Sequence, residues 1–193
     1  MAIFHIDHKL VDFDRWLTLF AAGAPRRAVE AAHGVETLRA LRNTLDGNHA
    51  IAVLRAETRA AVDAMLGDAR LRGRFADRSL FAEPPRIIAG FDLTDLEPYE
   101  VGENPAFFVE HHLADFETFR GRLSARKKIS GIKPIKLLRD IEDPYHIRLV
   151  VLAPDMTTLE NAMGEPRLQA HFADKSIFLQ PPKIVFAPTS VYP

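Results

Sequence analysis

Residues 75–88 read FADRSLFAEPPRII, and residues 172–185 read FADKSIFLQPPKIV. Two stretches of that length matching at nearly every position mark an internal duplication. Each runs from the end of a short helix through an Asp-x-Ser loop into Pro-Pro. The prolines forbid helix and set an extended approach, and an Ile-rich strand follows. The 193 residues therefore divide into two copies of roughly 90 residues. Residues 1–93 are the first copy, 94–105 a linker and 106–193 the second copy. Units this small are marginal alone, so each is expected to bury surface against the other.

The rest of the first copy reads outward from this stretch. Residues 2–8 alternate, with Phe4, Ile6 and His8 on one face and Ile3, His5 and Asp7 on the other. Asp12 is placed to cap a helix on which Phe13, Trp16, Leu17 and Phe20 form one apolar stripe. That helix, or a helix plus a second turn, runs toward His33, and Gly34 stops it. Residues 35–44 and 49–56 read as strands, with the hairpin turn at Asp46-Gly-Asn. Thr58 caps a helix carrying Val62, Met65 and Leu66. Asp68 caps a shorter one carrying Leu71 and Phe75, and residues 86–92 form the last strand. The order is βαββαβ, the ferredoxin-like unit.

An acidic stretch with Asp95, Glu97, Pro98, Glu100, Gly102, Glu103 and Pro105 reads as the linker. The pattern then restarts. Phe107, Val109 and His111 match Phe4, Ile6 and His8; Asp115, Phe116 and Phe119 match Asp12, Phe13 and Trp16; Arg139, Asp143 and His146 match Arg42, Asp46 and His49. Phe13 to Gly34 spans 21 residues and Phe116 to Gly131 spans 15. The first copy thus carries six more, placed around residues 23–27, and such asymmetry is where two copies diverge in use.

Hydrophobic residues make up 47% and charged residues 26%, with a net charge of -1. That is a soluble globular composition, with nothing to attract nucleic acid or an anionic membrane. The absence of cysteine excludes disulfides, thiolate catalysis and cysteine metal sites. No apolar run reaches the length of a membrane span. The first residues lack the order of a signal peptide, so the cytoplasm is the expected location.

Three features resemble the dimeric α/β-barrel superfamily. One is a strand followed by Asp-Phe-x-x-Trp (Asp12, Phe13, Trp16) or Asp-Phe-x-x-Phe (Asp115, Phe116, Phe119). Another is Gly followed by a strand ending in Arg-x-x-x-Asp. The third is the short helix running into Pro-Pro-x-Ile. The resemblance covers nearly the whole chain, twice. It implies an α+β fold in which tandem ferredoxin-like units pack sheet to sheet as an intrachain dimeric α/β barrel, helices outside. The chain would be a monomer with an intrachain pseudo-dimer, or a homodimer of it. Relatives in this superfamily include cofactor-independent antibiotic-biosynthesis monooxygenases, haem-degrading enzymes, dye-peroxidase-like proteins and muconolactone isomerases, and no motif here selects one branch.

His8 and His111 end equivalent strands on the more apolar face. Each is a general base, a ligand for iron, or a core-edge histidine bonded to a backbone carbonyl, and the last is the expectation. Arg42 and Arg139 precede turn aspartates by four residues. Each either holds a ligand anion or pins its hairpin to Asp46 or Asp143, and pinning is the expectation. Trp16, Phe20 and Phe119 are core residues that could also line a ligand pocket. His49 and His146 read as exposed rim residues. No spacing suits a metal site, and neither a metal nor another cofactor is expected, haem included. Two functions follow. The chain binds or transforms a small, largely apolar organic molecule, with the cofactor-independent monooxygenases as the chemistry the resemblance implies. Alternatively it is a non-catalytic scaffold or interaction protein with no buried active site.

Overall fold

Strand alternation at the start of the chain sorts its side chains as the sequence predicts. In β1 (Ala2–Lys9), Phe4 and Ile6 join the helix-side apolar core, and His5 and Asp7 on the opposite face are buried as well. The computed structural model describes residues 1–100, 104–125 and 131–192. Gly102 and Glu103 of the linker reading lie outside the described residues. The chain divides into two units, residues 1–91 with 189–193, and residues 92–188.

The first unit continues through α1 (Phe13–Ala22), α2 (Ala24–Ala32), β2 (Glu36–Asn43), β3 (His49–Ala56), α3 (Arg59–Leu66), α4 (Ala69–Phe75) and β4 (Arg86–Asp95). The second contains β5 (Ala106–His112), α5 (Phe116–Ala125), β6 (Lys133–Asp140), β7 (His146–Leu152), α6 (Met156–Gly164), α7 (Pro166–Phe172) and β8 (Lys183–Phe186). The last strand, β9 (Pro188–Tyr192), returns to the first unit.

The sheet of the first unit has the order β4-β1-β3-β2-β9. Its β1 pairs antiparallel with both β3 and β4, placing His8 opposite Ala50. The sheet of the second unit has the order β8-β5-β7-β6-β4, and the end of β4 supplies its last strand. There β5 pairs antiparallel with β7 and β8, placing His111 opposite Ile147. Each unit therefore has the ferredoxin-like arrangement, with one strand contributed from beyond its own βαββαβ run.

The expected caps form. Asp12 accepts from the Arg15 amide at 3.0 Å, Asp115 from Thr118 at 3.0 Å and Asp155 from Thr158 at 2.7 Å. On α1 the stripe places Phe13, Trp16 and Phe20 in the core, at roughly 1.5–3 kcal/mol for each large apolar side chain buried.

Four features depart from the sequence reading. The first predicted helix is two helices. Gly23, with φ +34°, ends α1 and begins α2. The strand expected over 86–92 runs on to Asp95, and β9 is an addition. The hairpin between β2 and β3 forms, but Gly47 does not have the positive φ of an Asp-Gly hairpin turn. A Cβ at Gly47 would lie 3.2 Å from Arg42 Nη2, a contact that a small movement of that side chain relieves.

Candidate functional site

In the first unit, the end of β1 and the stripe of α1 meet around a largely apolar pocket. His8 is buried, with its ring centroid 5.2 Å from that of Trp16 and 6.0 Å from that of Phe81. These three side chains and Phe20 line a cavity of about 370 Å³, within the range of small-molecule sites of about 300–1,000 Å³. Among the described residues, His8 Nδ1 has no hydrogen-bond partner. Burial lowers the pKa of His8 to about 4, so the imidazole is neutral near pH 7 and can offer a lone pair or an N–H to a ligand.

One wall of this cavity is polar. Arg26 Nη1 donates to Glu30 Oε1 at 2.5 Å and to Thr37 Oγ1 at 2.6 Å, and Thr37 Oγ1 donates to Glu30 Oε1 at 2.6 Å. All three residues line the cavity. The Arg26 guanidinium also sits 4.1 Å from the centroid of Phe20, a cation–π distance.

The second unit repeats the arrangement with different side chains. His111 lies 5.5 Å from Phe119 and 5.9 Å from Phe178, ring to ring. With Leu123, Leu159 and Met163 they line a cavity of about 470 Å³. Neither ring nitrogen of His111 has a hydrogen-bond partner among the described residues, and burial, with His171 nearby, lowers its pKa to about 3. His171 joins this lining, its own pKa lowered by burial and by Arg122. Arg122 Nη1 donates to Asp174 Oδ2 at 3.0 Å.

The structure thus gathers His8, Trp16 and Phe20 in one cavity, and His111 and Phe119 in the other. Arg42 and Arg139 line neither. Arg42 Nε donates to the Gly47 carbonyl at 2.8 Å and its guanidinium stacks 4.0 Å from the Phe13 centroid. Arg139 Nε donates to the Pro144 carbonyl at 3.1 Å and stacks 3.7 Å from that of Phe116. Both arginines pin their hairpins, but the expected Asp46 and Asp143 partners are corrected to backbone carbonyls. Each aspartate is instead engaged by a turn amide, that of Asn48 or Tyr145.

The rim reading of His49 and His146 is also corrected. Their side chains are only 12% exposed. His49 Nε2 meets Asp7 Oδ1 at 2.5 Å, and Asp7 also accepts from Arg86 at 2.9 Å. Burial pushes the Asp7 carboxyl upward, but these two partners outweigh it and hold it at about 2. His146 lies between Glu110 and Asp140, 3.6 Å from the first and 3.0 Å from the second. The hydrogen bond with Glu110 leads in raising its pKa. These polar groups belong to the strand face away from the two histidines of the cavities.

Sequence reasoning missed Arg26, Glu30, Thr37, Arg122 and His171. The six additional residues of the first copy pointed to the neighbourhood of Arg26, and its i,i+4 spacing to Glu30 was visible. No sequence signal distinguished that pair from an exposed one.

No family model and no curated protein matches this sequence. Solved structures do match over nearly the full length. Two are putative monooxygenases. That from Lactobacillus acidophilus NCFM is 12% identical, with a TM-score of 0.50, covering 99% of this chain and 93% of its own. That from Fusobacterium nucleatum subsp. nucleatum ATCC 25586 is 11% identical, with a TM-score of 0.54, covering 98% and 92%. An anthrone oxidase-like protein is 8% identical, with a TM-score of 0.57, covering 99% and 93%. At these identities the likeness is one of fold. The chain has a ferredoxin-like α+β fold, and it shares that fold with these structures.

Proposed function

We propose that this protein binds a small, largely apolar organic molecule carrying an acidic hydroxyl, and oxidises it without a cofactor. The observation that carries this reading is a buried imidazole in the lining of an apolar cavity, with a ring nitrogen that has no hydrogen-bond partner among the described residues, once in each unit. A buried polar atom without a partner costs stability, and a ligand hydroxyl is the group that would complete it.

The chemistry is that of a phenol or enol. The neutral imidazole accepts the hydroxyl proton as the anion forms, and the anion beside it offsets the cost of the new imidazolium. The electron-rich anion then reduces dioxygen. For a methylene flanked by aromatic rings, one oxygen atom enters the ring as a carbonyl and the other leaves as water, with all electrons drawn from the substrate. The resemblance to cofactor-independent monooxygenases and the names of the structural neighbours point the same way.

Anthrone, whose enol is a phenol, is the probe. Trp16 is the only tryptophan and lines the first cavity, so its emission should be quenched saturably by anthrone. Dioxygen uptake should exceed the rate in buffer and fall by about 10²-fold or more in the double variant H8L/H111L. Quenching without uptake would leave a binding protein. The absence of both would favour the scaffold reading.

A further inference from the structure

We infer that Glu30 is the specificity-determining acceptor of the first cavity, and that the ligand there carries a second, neutral hydroxyl directed at Glu30 Oε2. This rests on the small-molecule reading above and names the chemistry at the far end of the ligand.

Glu30 is 6% exposed, and a carboxylate buried to that degree needs partners for its charge. Its partners are unevenly shared. Oε1 accepts from both Arg26 and Thr37. Oε2 accepts no hydrogen bond among the described residues. Glu30 lines the same cavity as His8. The cavity therefore holds a carboxylate oxygen with unfilled acceptor capacity in addition to the imidazole.

Arg26 decides which donor fits. Its guanidinium already balances the charge of Glu30 at 2.5 Å. An ammonium ligand would add a second cation beside this pair in a largely apolar lining, where the other carboxylate, Asp77, is already engaged by Ser79 and Arg15, which is costly. A neutral O–H satisfies Oε2 without changing the net charge. A hydrogen bond to a charged acceptor is also among the stronger neutral-ligand contacts.

The wall is specific to the first unit. Arg26 and Glu30 both belong to α2, within the segment that is six residues longer here than in the second copy. The second cavity has Arg122, Arg167 and His171 in its lining, and its one glutamate, Glu165, is exposed. The two cavities accordingly select different ligands, and the two-hydroxyl preference belongs to the first.

The test uses the intact chain and flexible, optically transparent probes. These are 1-octanol, 1,8-octanediol, 8-methoxy-1-octanol and 8-amino-1-octanol, followed by the emission of Trp16. The diol should bind at least about tenfold more tightly than 1-octanol, which lacks the second donor, and than its monomethyl ether, which keeps the second oxygen but carries a methyl in place of its proton. The amino alcohol should bind no better than the ether. In E30Q an amide N–H can take the place of Oε2, so the diol-to-ether ratio should fall to about one.

A diol-to-ether ratio near one in the wild-type chain would overturn the inference without any variant, as would a ratio unchanged by E30Q in a variant whose melting remains cooperative. Tighter binding of the amino alcohol than of the diol would overturn the neutral-hydroxyl class. If neither anthrone nor any of these alcohols gives a saturable response, the small-molecule reading of the first cavity fails and this inference fails with it; if anthrone binds and the diol does not, only this inference fails.

Discussion

Burial would strip a protonated His8 or His111 of its water, which is why both remain neutral well below their ordinary value of 6.5. The folded values are about 4 and about 3. Between those values and 6.5, the unfolded chain binds protons that the folded chain refuses. Stability therefore rises with pH in this window and falls on acidification, by roughly a tenfold change in the folding equilibrium per pH unit for each histidine. His171 acts in the same direction. The carboxylates enter lower down. The Glu110 carboxyl is pushed up by burial but held at about 2 by His146 and Arg148, against an ordinary 4.5, so its contribution is present above 4.5 and is lost only as the pH falls toward 2. His146 has a raised value, so its contribution is complete below 6.5 and is lost as the pH rises through that raised value. The interval from 6.5 to 4.5 thus isolates the depressed histidines. Urea unfolding of H8L/H111L across it should show a clearly shallower pH dependence than the wild-type chain. Parallel curves would mean that the imidazoles are not held neutral by burial.

At the scale of elements, the decisive break is at Gly23. Its φ of +34° separates α1 from α2, and α2 brings Arg26 and Glu30 to the cavity. A Cβ at position 23 would lie 3.0 Å from the Phe20 carbonyl and 2.8 Å from Arg27 Nη1. The arginine tip can move, but the carbonyl cannot do so without disturbing α1. With the left-handed backbone costing an L-residue about 1–2 kcal/mol, G23A should lose about that much in urea unfolding. It should also weaken the preference for the diol over its ether. A G23A variant as stable as wild type would show that the break between the helices is not fixed by this residue. The elements themselves were legible because period-2 alternation, apolar stripes and capping residues are local signals, and His8 and Trp16 could be placed from them. The Arg26–Glu30 pair was not, because i,i+4 charges usually mark a solvated helix face and only the packing of α2 buries Glu30. The partners of Arg42 and Arg139 were misjudged for a related reason. A turn aspartate has nearby backbone amides to satisfy, and those bonds occupy the groups that the sequence offered to arginine.

At the scale of the molecule, β9 shows what a repeat cannot reveal. The repeated stretch delimits two similar runs, yet the strand next to β2 comes from residues 188–192, while the end of β4 serves the second unit. The hydrogen bond from the Leu96 amide to the Ile135 carbonyl, 2.9 Å long, extends that second pairing beyond β4. Strand pairing between residues so distant in sequence leaves no local pattern, so only the folded chain discloses it. It has a consequence for the first βαββαβ run in isolation. A fragment of residues 1–93 contains β2 but not β9, leaving the N–H and C=O groups on one side of β2 unpaired. Ala40 and Leu41 on that strand are buried in the intact chain, so the bare edge is apolar as well as unpaired. Such an edge is a template for another strand. The fragment should therefore self-associate in analytical ultracentrifugation, and a synthetic peptide of residues 187–193 added in excess should reduce that association by occupying the edge. A fragment that sediments as a monomer and unfolds cooperatively without the peptide would show that β2 does not need its distant neighbour.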